Sequence, residues 1–500
     1  MTTILRIIPW MLAVTFPAVA WTATPLELAK KIDDHLKARW ALERITPAQL
    51  VDDDAFLRRI YLDLVGRIPT IAEVRDFRRD RSPDKRAQII DRLSSTNGHY
   101  HFFASVLRRD WFPQTDTPQF TNLAREIEGW LALKLKEAAP MDDMVRQLMV
   151  ASRSNSAPKT PTTFLTVSEN KPEMLAANTT RAFLGLNLDC AQCHNHPFAH
   201  WKRTQFWETA AFFTSLNGES AGKFEIALDG TKNLVSARFL TENSPVWPRK
   251  LDLYSGRQVL AAWVTARENP YFAKNAVNRV WAHFFGNGLV EPLDDLSDEN
   301  PSVLPELLDL LAQEFVRSKF NVNFLIQSIA NTQVYQLTSK TVGTDRTKQQ
   351  FFALATVRGL TGEQLYDSLH VAAGFPPERD DLSKPLGATN RQIFAAKFQV
   401  PRANDADRSI LQALSLMNGS ITHKLTDRTT SPTLRAVVEA PFLDPPQKVE
   451  ALYLAAYGRM PTAKEIQLIK AHFSHAGGEK AALSDLFWAL LNSSEFSTNH

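Results

Sequence analysis

Apolar residues recur at three- and four-residue spacing over 85–95, 122–137, 141–151, 172–186, 204–216, 271–285, 303–317, 322–331, 361–374, 447–457 and 481–492. That is the period of helices that turn one face to a core. Helix-start signals agree with the period. Thr70 followed three residues later by Glu73 forms a capping box, in which two side chains satisfy the orphan amides of a first turn. The stretch YLDLVGRIPTIAEV (61–74) returns in register as YLAAYGRMPTAKEI (453–466). Both copies spell a helix, a glycine stop, a proline and a capped helix. Strand signals are sparse, the best being FEIALDGTKNLVSARFL (224–240), where Asp229-Gly230 between two β-capable runs predicts a hairpin. A proline-rich stretch, Ser244 to Pro248, follows it. The pattern therefore predicts a mostly α chain: a helical domain over 25–218, a β-hairpin and Pro-rich junction over 219–254, and a second helical domain over 255–498. Two stretches, Arg153 to Thr163 and Phe375 to Arg408, are read as loops, the second holding a short apolar piece near Ile393 to Phe398.

The first twenty residues change the setting. Arg6 precedes an apolar run from Ile7 to Ala20 that is too short to span a bilayer and ends in Ala18-Val19-Ala20. This is the form of a signal peptide over 1–20, with Ala23 as the second cleavage choice, and it predicts a periplasmic or secreted protein with no stable membrane span once the signal is removed. Lys plus Arg number 57 against 54 Asp plus Glu, and the basic runs are interleaved with aspartates, as in RDFRRDRSPDKR (75–86). A solvated helix face has that pattern, so nucleic acid is not an expected partner.

The chain has two cysteines, and both lie in LDCAQCHNHPFAH (188–200). Two thiols three residues apart cannot staple a fold of this length. Cys190-x-x-Cys193-His194 is instead the attachment sequence of haem c. The two thiols one helical turn apart reach two vinyl groups, and His194 follows as the iron's ligand. Two other readings stay open. Cys190, Cys193, His196 and His200 form a C-x2-C-x2-H-x3-H set suited to zinc, although the middle spacing is short. A local disulfide between the two thiols is the other. A sixth iron ligand is not evident; Met174, His283 and Met417 are the distant candidates. Phe198, Trp201, Phe206, Trp207, Phe212 and Phe213 crowd the following residues, either as a haem wall or as a core face.

Taken together, DDAFLRRIYLDLVGRIPT, LGLNLDCAQCHNHPFAHW, NPYFAKNAVNRVWAHFFGNGLVEPLDDL, LPELLDLLAQEF and LFWALLNSSEF resemble a paired set of exported bacterial families expanded in planctomycetes. The first is a domain of unknown function labelled planctomycete cytochrome c-like; the second is its C-terminal companion. The resemblance implies that Cys190, Cys193 and His194 match the family's CxxCH and that His196, Pro197 and Phe198 continue it, with Asn195 where many relatives carry Asp. It places Asn278, Arg279, Trp281, His283, Gly286, Gly288, Asp295, Gln412 and Asn418 on the companion's signature. Relatives often bear a further N-terminal cytochrome module, which this chain lacks, so a single haem is expected. The families bring no settled reaction.

In NRVWAHFFGNGLVEPLDD, Arg279, His283 and Asp295 are the catalytic candidates of a polar pocket that also takes in Asp294; an Arg279 to Asp295 ion pair at a helix end is the structural alternative. The expected function is a mono-haem c-type redox protein. It exchanges electrons with a redox partner protein or oxidises a carbohydrate-derived small molecule at the domain junction. The alternative is a non-redox binding or scaffold protein stapled by zinc. Neither GxSxG nor HExxH occurs, so a hydrolase has no support.

Overall fold

The computed structural model describes residues 23–152, 160–217, 223–241, 243–340, 346–376, 389–398 and 410–500. The signal-peptide reading of 1–20 lies outside them, as do parts of both predicted loops.

Helices dominate, as the periodicity requires. Every apolar segment named above forms one, from Lys85–Ser94 to Glu479–Leu491. The segment 172–186 is less regular: an α-helix over Pro172–Thr179 continues as a π-helical turn over Thr180–Leu184 and stops at Gly185, which is left-handed at φ 67°. The apolar piece near Ile393 is the helix Asn390–Lys397. Among the described residues four short strands form two antiparallel pairs. β1 (Glu225–Ala227) and β2 (Leu234–Ser236) make the expected hairpin, and β3 (Arg358–Gly359) pairs with β4 (Thr498–Asn499).

The repeated sequence is a repeated structure. In the first corner the helix Asp53–Val65 ends at left-handed Gly66, and Thr70 caps the helix Ile71–Arg79. In the second, Pro445–Tyr457 ends at left-handed Gly458, and Thr462 caps Ala463–His475. Both caps are complete capping boxes. The arginine after each glycine does the same work twice. Arg67 grips Glu73 with both terminal nitrogens at 2.9 Å and lies over the Tyr61 ring; Arg459 grips Glu465 at 2.8 and 2.9 Å and lies over the Tyr453 and Tyr457 rings. A planar guanidinium suits both tasks, which lysine would perform only in part.

The two corners also share their cores. One hydrophobic cluster runs from Leu28 to Ala353, and a second from Leu360 to Phe496. Leu62 and Ile68 of the first corner are buried in the second cluster. Leu454, which stands where Leu62 does in the repeat, is buried in the first, and Met460, the counterpart of Ile68, packs against it. Each corner therefore seals the other's interior. The first cluster passes through the junction at 219–254, taking in Phe224, Ala237, Phe239 and Leu240, because the hairpin lies on the aromatic face of the helix Arg203–Ala210 and stacks Phe224 on Trp247 at 4.2 Å.

A buried polar hub lies where the clusters meet. Asp63 is fully buried. Its carboxylate accepts two bonds from Arg358 Nη2 at 2.9 Å, one from Tyr335 Oη at 2.8 Å and one from Asn499 Nδ2 at 2.8 Å. Beside it, Arg58 donates to the carbonyls of Ala456 and Phe496, at 3.0 and 2.8 Å. Burial and the Asp63 charge hold the Tyr335 hydroxyl protonated.

Candidate functional site

The Cys-x-x-Cys-His segment is a surface turn on a rigid base. Asp189–Gln192 is one turn of 3-10 helix, with the amides of Cys193 and His194 returning to the Cys190 carbonyl. Trp207, buried in the first cluster, donates its indole N–H to the Gln192 carbonyl at 2.9 Å. Cys190 and Cys193 are both free and exposed. His194 is exposed, and its Nδ1 lies 2.7 Å from the Asn195 carbonyl oxygen. A carbonyl only accepts, so Nδ1 is the donor, and in the neutral ring the lone pair stands on Nε2. This is the tautomer an iron ligand needs, held by the kind of second bond that orients metal-binding imidazoles.

The other histidines are occupied. His196 Nδ1 faces the amides of Phe198 and Ala199 at 3.3 and 3.0 Å. His200 Nδ1 pairs with Glu299 at 3.1 Å, and backbone hydrogen bonding followed by the His200 contact holds that carboxylate below its ordinary range. Among the described residues no group of three or more His, Cys, Asp or Glu side chains is placed to hold a metal. Cys190, Cys193, His196 and His200 thus occupy one loop without converging. The aromatic run divides: Trp201, Phe206, Trp207, Phe212 and Phe213 are buried in the core, whereas Phe198, at 84% exposure, stands beside the motif in solvent.

The base of the turn comes from the second half of the chain. Leu186 and Asp295 form a β-bridge; the amide of Leu296 donates to the Gly185 carbonyl at 2.9 Å, and that of Asn187 to the Asp294 carbonyl at 2.8 Å. Arg181 forms an ion pair with Asp189 and lies 3.7 Å from Asp294. Arg279 is not paired with Asp295. Its Nε donates to Asn275 Oδ1 at 2.9 Å and its Nη2 to the Arg181 carbonyl at 3.0 Å, while Asp295 accepts from Ser297. Asp110, whose pKa burial raises, is the carboxyl on which the Arg279 charge acts. Sequence reasoning missed Asn275, Arg181 and Asp110, since nothing local to any of them announces partners that lie far away in the chain.

His283 lies elsewhere again. Its Nε2 donates to the Asp63 carbonyl at 3.0 Å, and its ring sits against Phe103 and Phe284. Arg279, His283 and Asp295 therefore make three separate sets of bonds. Met174 is exposed on the helix Pro172–Thr179, which packs on Arg203–Ala210 next to the turn, while Met417 belongs to the region around Trp488.

Burial pushes the His283 pKa down to about 4 from its ordinary 6.5. The unfolded imidazole thus takes up a proton before the folded one does. The stability this group contributes is complete above about pH 6.5 and is lost as pH falls toward 4, at no more than about 1.4 kcal/mol per pH unit. His283→Gln keeps a donor for the Asp63 carbonyl and should show a shallower fall of urea midpoint across that window; a slope equal to that of the parent protein would contradict this.

A mostly helical protein with an exposed Cys-x-x-Cys-His turn, seated by its own C-terminal half, is the class that fold and site define. Residues 31–218 match the family model PSCyt2, protein of unknown function (DUF1549), and residues 256–385 match PSD1, protein of unknown function (DUF1553). The chain thus carries, in order, the paired domains of unknown function typical of planctomycete-type proteins. No curated protein and no solved structure matches it.

Proposed function

We propose that the chain is a single-haem c-type redox protein, with Cys190 and Cys193 forming the two thioethers and His194 the iron ligand. The supporting observation is the His194 ring, exposed and with Nδ1 facing the Asn195 carbonyl at 2.7 Å, beside two free exposed thiols on one turn. A haem held there supplies one-electron chemistry. The protein's part is to orient His194 through the Asn195 carbonyl, to fix the turn through Trp207, and to leave the motif open to solvent, which favours exchange with a redox partner protein. Haem of this kind is attached outside the cytoplasm, in keeping with the signal-like residues 1–20.

Co-expression with a haem c maturation system tests the proposal. The expected product has a Soret band that survives acid-acetone extraction and carries porphyrin mass on the peptide bearing Cys190 and Cys193. The double variant Cys190→Ser, Cys193→Ser should lose both. A colourless protein with that peptide unmodified overturns the reading.

A further inference from the structure

We infer that Asn275 and Arg279 of the second half are positioning residues for the Cys190–His194 turn, acting through the π-helical turn Thr180–Leu184. The side chains are arranged as one lock. Asn275, 2% exposed, donates Nδ2 to the Ala182 carbonyl at 2.8 Å and accepts on Oδ1 from Arg279 Nε, while Arg279 Nη2 takes the Arg181 carbonyl at 3.0 Å. Two carbonyls at a helix end, which would otherwise lack amide partners, are satisfied from outside the helix.

Gly185 shows how closely the lock fits. It adopts φ 67°, and a Cβ there would lie 2.7 Å from Asn275 Oδ1 and 2.8 Å from Leu296. Only glycine allows both the left-handed backbone and the close approach. From this point little slack remains. The Gly185 carbonyl and the Asn187 amide are bonded to 294–296, Arg181 reaches forward to Asp189, and Cys190 comes next. A π-turn is irregular backbone of a sort that recurs at functional sites, and here its carbonyl ends are held by side chains of another domain. Displacement of Asn275 or Arg279 is therefore transmitted to the thiols and to His194 over a few bonded residues. The companion domain would in this way set the geometry of the motif without touching it.

The inference rests partly on the haem reading, so its test has one readout that needs no haem. In haem-free protein, the imidazole nitrogen resonances of His194 are recorded for the parent, Asn275→Leu, Arg279→Met and Gly185→Ala; in matured protein, covalent haem per chain and reduction potential are recorded for the same set. The parent should show the Nδ1-protonated tautomer. Each variant should show a tautomer mixture, covalent haem lowered on the order of tenfold, as losses of outer-shell support for metal ligands do, and a displaced potential. Arg279→Lys, which keeps one donor, should recover part of the loading. Leu62→Ala, a packing lesion in the other core, should leave the tautomer and the loading unchanged. Parent-like tautomer and loading in all three variants would overturn the inference, as would an equal loss in Leu62→Ala. If the parent takes no haem while the variants still scramble the tautomer, the haem proposal fails and the positioning role stands.

Discussion

Asp63→Asn is expected to lower the unfolding free energy by about 3–5 kcal/mol, the cost of leaving a buried cation without its counter-charge. Arg358 is the cation that would be left without its partner. Its side chain is 10% accessible and the Asp63 side chain 1%, so water cannot replace the lost carboxylate. Arg59, whose guanidinium nitrogen donates to the Tyr335 and Leu337 carbonyls, adds a second buried positive charge nearby. Asparagine can still accept from Tyr335, but it offers one oxygen where the carboxylate serves Arg358, Tyr335 and Asn499 together. Urea unfolding followed by far-ultraviolet dichroism measures the loss. Arg358→Met should cost a similar amount, and the double variant clearly less than the two losses added, because the partners act as one unit. Strict additivity would show that the hub is not coupled.

Leu62→Ala is expected to cost about 2–5 kcal/mol, the range for emptying a fully packed leucine site. The particular expectation concerns where the damage falls. Leu62 belongs by sequence to the first half and by packing to the cluster of Leu360, Leu365, Leu452 and Phe487. The first cleavages in limited proteolysis should therefore appear in the C-terminal third, some three hundred residues from the substitution. Leu454→Ala should invert the pattern and expose the first cluster. Cleavage confined to the neighbourhood of each substituted residue would refute the exchange.

Local rules carried the sequence reading a long way. Capping pairs such as Thr70 with Glu73, the glycine stops at 66 and 458, and the Asp229-Gly230 hairpin depend on a few consecutive residues, and all three features form as their chemistry dictates. The corner echo was visible as well, but not its consequence, because exchange of Leu62 for Leu454 depends on how two distant segments meet. Asp63 carried a signal that a stricter reading would have used. It is a carboxylate inside an apolar helix face, where the repeat has Ala455, and a buried charge demands a partner. That the partner is Arg358 could not be read locally. The same limit explains Arg279: its nearness to Asp294 and Asp295 in sequence suggested an ion pair, yet the helix Phe272–Phe285 turns it toward Asn275 and the Arg181 carbonyl. The thiols and His194, contiguous in the chain, were legible from spacing alone.

Arg58, on the second long helix of the chain, finds its acceptors among the described residues at Ala456, Glu495 and Phe496. Contacts spanning some four hundred residues form late, since ring closure over such a contour is entropically expensive and slow. During synthesis the early helices must wait, with that guanidinium still hydrated, until the last forty or so residues arrive. Assembly is thus a single closing event, and a nascent chain held just short of it should be digested by a protease that spares the finished molecule.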